Sequence, residues 1–133
     1  MTRFESKWEE LKVADEEVFA FLSDFRNFEA LMPEQITHWN ANADSCSFTI
    51  PGMADLALRM TSKVPCKSIL IESVGSKPIA YNLLINIQPF KVNHSTAQIA
   101  IEAELNPFMG MMASKPLQNL VDLMAKRLQE HFK

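Results

Sequence analysis

Few side chains in this chain could do chemistry, and their types and spacing narrow what that chemistry could be. The three histidines, His38, His94 and His131, stand far apart in the sequence. His131 falls at the end of the last helical pattern, where a cation suits the helix dipole. His94 falls in a turn between strands. His38 neighbours Trp39 on a strand, so only one of the two can point inward, and the indole is the better candidate. No HxxxH, HExxH or Cys/His cluster is present, so no metal site is expected. Serine-based hydrolysis needs a nucleophile on a strained turn, and there is no GxSxG. The carboxylates Glu102 and Glu104 fall on the polar side of their strand, where solvation is the default. No catalytic residue and no cofactor is assigned.

Cys46 and Cys66 form no CxxC pair and read as reduced thiols. Cys46 shares its side of a strand with Phe48 and Ile50 and is expected to be buried. Cys66 follows Pro65 and should be more accessible. Tyr81, the single tyrosine, falls on the apolar side of its strand, and a buried phenol needs a hydrogen-bond partner. That partner is either backbone or buried water, or the polar end of a ligand. The stretch Asn106 to Pro116, NPFMGMMASKP, places Phe108, Met109, Met111 and Met112 between two prolines. Flexible thioethers fill irregular core gaps or line tolerant pockets, and both readings stay open for it.

The elements that position these groups follow from composition and periodicity. With 133 residues, 47% hydrophobic and 22% charged, the chain suits one domain with a core large enough to need no staples. A net charge of −3 offers no basic field for phosphates, so nucleic acid is not an expected partner. MTRFESKWEELK is charged from its third residue and does not resemble a signal peptide. No apolar run reaches the length of a membrane span. Expected is a cytoplasmic protein without integral membrane association.

Residues 2–12 alternate, with Phe4, Ser6 and Trp8 on one side, and a bulge near Glu10 would return Leu11 and Val13 inward. In VADEEVFAFLSDFRNFEALMP the period becomes helical. Asp15 is the expected N-cap of a first short helix, and Ser23 or Asp24 starts a second that Pro33 stops. Strands are expected at 35–41, 44–50, 54–62, 66–75, 78–88 and 93–105. The clearest alternations are Ile79, Tyr81, Leu83, Ile85, Ile87 and then Ala97, Ile99, Ile101, Ala103, Leu105. From about Pro107 the pattern is helical to Phe132. Leu117, Leu120, Val121, Met124 and Leu128 form its apolar stripe, while Lys126, Arg127, Gln129 and Glu130 face water. Pro116 implies either a separate turn at 108–113 or a kink.

This α+β order, β-α-α-β6-α, resembles the START-like superfamily, also called SRPBCC or pollen-allergen-like. The similarity rests on Val13 ending the first strand, the acidic helix start Asp15-Glu16-Glu17, then Val18-Phe19 and Leu22-Ser23-Asp24, and it spans essentially all of residues 1–133. Many members carry proline where Asp15 stands. The resemblance implies a helix-grip fold, a seven-stranded antiparallel sheet curled around a long C-terminal helix. It also implies a hydrophobic cavity between them for lipid-, sterol-, quinone- or polyketide-like ligands. The expected lining is Trp8, Phe28, Phe48, Met60, Tyr81, Ile85, Ile99, Met109, Met112, Leu120 and Met124. Three functions stay open: a carrier or sensor of a small apolar ligand, a polyketide cyclase/dehydratase-type enzyme, and a protein-interaction module with a filled cavity. Oligomeric state is not legible.

Overall fold

The computed structural model describes residues 2–50, 54–74, 81–104 and 107–132, without the side chains of Ala54, Met109 and Ala113. Its strands are β1 (Thr2–Glu5), β2 (Glu9–Leu11), β3 (Thr37–Ala41), β4 (Ser45–Ile50), β5 (Ala54–Val64), β6 (Ser68–Ser73), β7 (Tyr81–Lys91) and β8 (His94–Ala103). They form one antiparallel sheet in the order β1-β8-β7-β6-β5-β4-β3, with β2 also pairing with β8. The first strand therefore pairs with the last, and all other neighbours are consecutive. The sheet curls around a long C-terminal helix, α2 (Pro107–His131), and two short helices follow β2. This is the expected α+β helix-grip architecture, with the first of seven strands split in two. Expected strand residues at 75, 78–80 and 105 lie outside the described residues.

The split has a local cause. Pairing runs from Glu5 opposite Ala100 to Glu9 opposite Ala97, so four steps on one strand answer three on the other. The extra residue is a bulge. Buried Ser6 bridges it: its N–H donates to the Ile99 carbonyl at 2.9 Å, and its hydroxyl accepts the Ile99 N–H at 3.0 Å. The hydroxyl thus replaces the carbonyl that a regular ladder would supply. The bulge falls before Trp8 rather than near Glu10, and this corrects the expectation for the indole. Phe4 and Ser6 point inward, the extra residue then reverses the alternation, and Trp8 is left 40% exposed while Leu11 is fully buried.

The first short helix, α1 (Asp15–Leu22), buries Val18 and Leu22. Its N-cap is Ala14, not Asp15, and Asp15 occupies the first helical position with its carboxylate accepting the Glu16 N–H. The three acids of its first turn still face the positive end of the helix dipole. The second is a 3₁₀ helix (Phe25–Leu31) capped by Asp24, whose carboxylate accepts the Arg26 N–H. Phe25 and Phe28 meet edge to face with centroids 5.0 Å apart beneath it. The helix ends before Pro33, as expected.

Helix α2 is continuous through Pro116, so 108–113 is not a separate turn. Proline removes one donor, and the carbonyl it would have bonded belongs to exposed Met112, where water can serve it. The helix buries Leu117, Val121, Met124, Ala125 and Leu128 against β8, β1, β2 and the 3₁₀ helix. Gln118 and Gln129 fasten its side to the carbonyls of Glu5 and Glu10. Across the sheet, Ile71 faces Leu83, Leu83 faces Ile101, and Ile85 faces Ile99, so large side chains meet large ones over most of the concave face.

Candidate functional site

The centre between sheet and helix is nearly full. A cavity of about 30 Å³ remains there, lined among others by Phe48, Leu58, Tyr81, Leu117, Leu120 and Met124. That is the volume of about one water in the liquid. A space of ligand size was expected here. The cavity found there among the described residues is far smaller, closed in by the buried side chains of Leu58, Leu83, Ile101 and Met124. The small residues Ala97 and Ala103 on this face are themselves buried at 1% and 0% exposure.

The larger space lies at the edge of the same layer. A recess of about 260 Å³ opens between α2 and the segment after the 3₁₀ helix, walled by Pro33, Ile36, Ile50, Leu117, Leu120 and Leu123. Gln35 and Asn119 are the polar side chains on its lining. Leu117 and Leu120 border both the recess and the central cavity, so the two are separated by a single layer of side chains. Leu120, a residue of the expected apolar stripe and cavity lining, is half-buried for this reason. Pro33 positions the far wall by ending the 3₁₀ helix, and Pro116 sits at the rim.

Of the residues expected to line a pocket, Phe48, Tyr81, Leu120 and Met124 are brought together around the central cavity. Phe28, Met60, Ile85 and Ile99 are buried in the packed core. Trp8 is not on the concave face, and Met112, at 67% exposure, points away from the cavity. The reason is one of position. Among the described residues the first buried one of α2 is Leu117, and Phe108, Met111 and Met112 in the turns before it are exposed rather than set against the body they would have to line. The side chain of Met109 lies outside the described residues.

Burial of the Tyr81 ring raises its phenol above the ordinary value, so it stays protonated at neutral pH and can donate a hydrogen bond. The Tyr81 backbone N–H is held by the Ser73 hydroxyl at 3.1 Å. Cys46 is buried, and desolvation pushes its thiol up to about 12. Cys66 is half-buried and both thiols are free, in keeping with the different accessibilities expected of them. His38 is exposed and Trp39 turns inward to meet Phe48 with centroids 5.5 Å apart. His131 stacks on Phe21 at 4.3 Å. Among the described residues, no group of His, Cys, Asp and Glu is placed to hold a metal ion, and no helix is long and apolar enough to cross a membrane.

Leu123, Ile36 and Arg127 were not expected near a site. Arg127 was placed on the water-facing side of α2, yet it is half-buried and its Nη1 donates to the Met32 carbonyl. The spacing Leu120–Leu123–Arg127 could have shown that these three share a face.

No protein-family model matches the chain, and no curated protein matches it. Solved structures do match in fold. The Bacillus cereus protein XoxI superposes with a TM-score of 0.77 at 14% identity, covering 99% of this chain and 96% of its own. A START superfamily protein from Mycobacterium smegmatis gives 0.76 at 15% identity, covering 98% and 96%. Truncated norcoclaurine synthase from Thalictrum flavum gives 0.75 at 9% identity, covering 98% and 92%. The chain has the START-like, helix-grip fold.

Proposed function

We propose that residues 1–133 form a single START-like domain that binds a small apolar ligand in the edge recess, as a cytoplasmic carrier or sensor. The observation that carries this reading is the 260 Å³ apolar recess beside a nearly filled centre. Its size is just below the usual range of about 300–1,000 Å³ for small-molecule sites. A compact aromatic or a short aliphatic chain suits it better than a sterol. Burial against Leu120, Leu123, Ile36 and Ile50 would supply affinity, and Gln35 and Asn119 would orient the ligand. The solved norcoclaurine synthase complex with dopamine and hydroxybenzaldehyde is a case of small aromatic ligands on this fold.

The test is binding of a neutral, environment-sensitive dye to the folded protein. Wild type should bind it, and Leu123→Trp, which fills the recess from a half-buried position, should abolish binding without lowering the melting temperature appreciably. Absence of dye binding by wild type would refute the reading. A second reading, an interaction module, is favoured by the exposed apolar start of α2, where Phe108 is 72% and Met111 82% exposed. It would be supported by concentration-dependent self-association that Met111→Glu removes, in a protein that binds no dye.

A further inference from the structure

The recess does not end at its apolar walls. Pro33 and Ile36 also line a second, more polar hollow of about 450 Å³, which holds Met32, Trp39, Arg127 and the carboxylates of Glu29 and Glu34. Pro33 and Ile36 therefore border both spaces, and the two adjoin there. On α2, Leu120, Leu123 and Arg127 stand at i, i+3 and i+7, one face of the helix. The axial distance from Leu120 to Arg127 is about 10 Å at 1.5 Å per residue. An apolar body lying along Leu120 and Leu123 would thus bring its far end to the guanidinium.

Arg127 is held for that role. The Met32 carbonyl occupies one of its five N–H donors and fixes the side chain at the hollow. Among the described residues, the ion pairs are Arg3–Glu5, Arg3–Glu102, Arg26–Asp24 and Lys63–Asp44, so neither Glu29 nor Glu34 pairs directly with Arg127. A planar guanidinium matches a carboxylate through two parallel hydrogen bonds. Two glutamates on the same rim would repel a dianion such as a phosphate monoester more strongly than a monoanion.

Resting on the recess as the binding site, we infer that its ligand is a small apolar monocarboxylate, with Arg127 as the carboxylate-binding residue. The carbon body lies against Leu120, Leu123 and Ile36, and the acid group pairs with the guanidinium beside Trp39.

The experiment compares octanoate, octanol and octylamine as competitors of the neutral dye, on wild type, Arg127→Gln and Glu34→Gln. Wild type should bind octanoate roughly tenfold or more tighter than octanol, the scale of a charge-assisted hydrogen bond. Arg127→Gln should erase that preference while leaving octanol binding unchanged. Glu34→Gln, which leaves Arg127 in place, should tighten octanoate alone. Equal binding of octanoate and octanol by wild type would overturn the inference while leaving the recess intact, and so would a preference for octylamine, which would assign the glutamates instead. If neither the dye nor any competitor binds, the recess itself is not a site and the inference falls with it.

Discussion

Replacing Leu120 by alanine distinguishes a side chain bordering empty space from one locked in the core, and Leu128→Ala provides the internal standard. Leu128 is 1% exposed and buried in the core cluster. Leu120 is half-buried and borders both the central cavity and the edge recess. Leucine to alanine removes three carbons, worth about 0.8 kcal/mol each when fully buried, or about 2.4 kcal/mol in transfer terms. At Leu128 the cavity left behind adds to this, giving about 3 kcal/mol. At Leu120 about half the transfer term applies and the new space merges with an existing recess, so the loss should be about 1.2 kcal/mol. For 133 residues, an unfolding entropy of about 2.1 cal/mol/K per residue converts these losses to Tm shifts of about 4 °C at Leu120 and about 11 °C at Leu128. Thermal melts followed by circular dichroism, with urea titrations to check that the slope is unchanged, measure both. Equal losses at the two positions would show that Leu120 is packed on all sides, and the recess geometry would be wrong.

Two further predictions concern the elements that frame the site. Ser6→Ala leaves the buried Ile99 N–H without an acceptor at the bulge, which should cost about 1–3 kcal/mol and speed hydrogen exchange at Ile99 specifically. Unchanged exchange there would mean that the hydroxyl does not stand in for the strand. Hydrogen bonds from Arg26 hold the Asp24 carboxyl down from 3.8 to about 2. Because its folded pKa lies below its unfolded one, the contribution is complete above about pH 4 and is lost as pH falls toward 2. The stability curves of wild type and Asp24→Asn should therefore converge over that interval and stay parallel above it. The gap should shrink in high salt, because the pair is exposed. A gap that persists unchanged at pH 2 would contradict the assignment.

The fold was legible because its strands bury one face only. Leu83, Ile85 and Ile87 alternate with the less buried Asn82, Leu84, Asn86 and Gln88. Ala97, Ile99 and Ile101 alternate with Thr96, Gln98 and Glu102 apart from the small Ala100, and each set lies on the buried side of the sheet. The apolar stripe of α2 was legible for the same reason, apart from the extent to which Leu120 is covered. What was not legible depends on contacts between distant segments. Phe4, Ser6 and Trp8 alternate as a continuous strand would, and only the pairing with β8 reveals the extra residue that turns Trp8 outward. Asp15 is a better N-cap by residue type than Ala14, but position in the chain is set by where Val18 and Leu22 must meet the core. Arg127 carries the sequence signature of a surface residue. Its partner is a backbone carbonyl at Met32, in a different element, and carbonyls leave no mark in the sequence.

The same distinction explains why the candidate site moved from the centre of the fold to its edge. A cavity beneath α2 would require small residues opposite small ones across neighbouring strands. Instead Ile99 stands opposite Ile85 and Ile101 opposite Leu83, while Ala103 pairs with the large Tyr81. The central cavity, lined by Tyr81, is correspondingly small at about 30 Å³. Ser6, the other small residue, is committed to the backbone of β8. Selectivity on this chain therefore cannot be written on the concave face of the sheet, whose side chains are occupied with one another. On the proposed reading it would be written on one face of α2, where Leu120 and Leu123 line a recess with Pro33 and Ile36 before the helix reaches Arg127. If the recess is the binding site, a substitution on that face should change what it accepts without disturbing the ladder pairs that hold the sheet, because Leu123 and Arg127 lie outside the buried core.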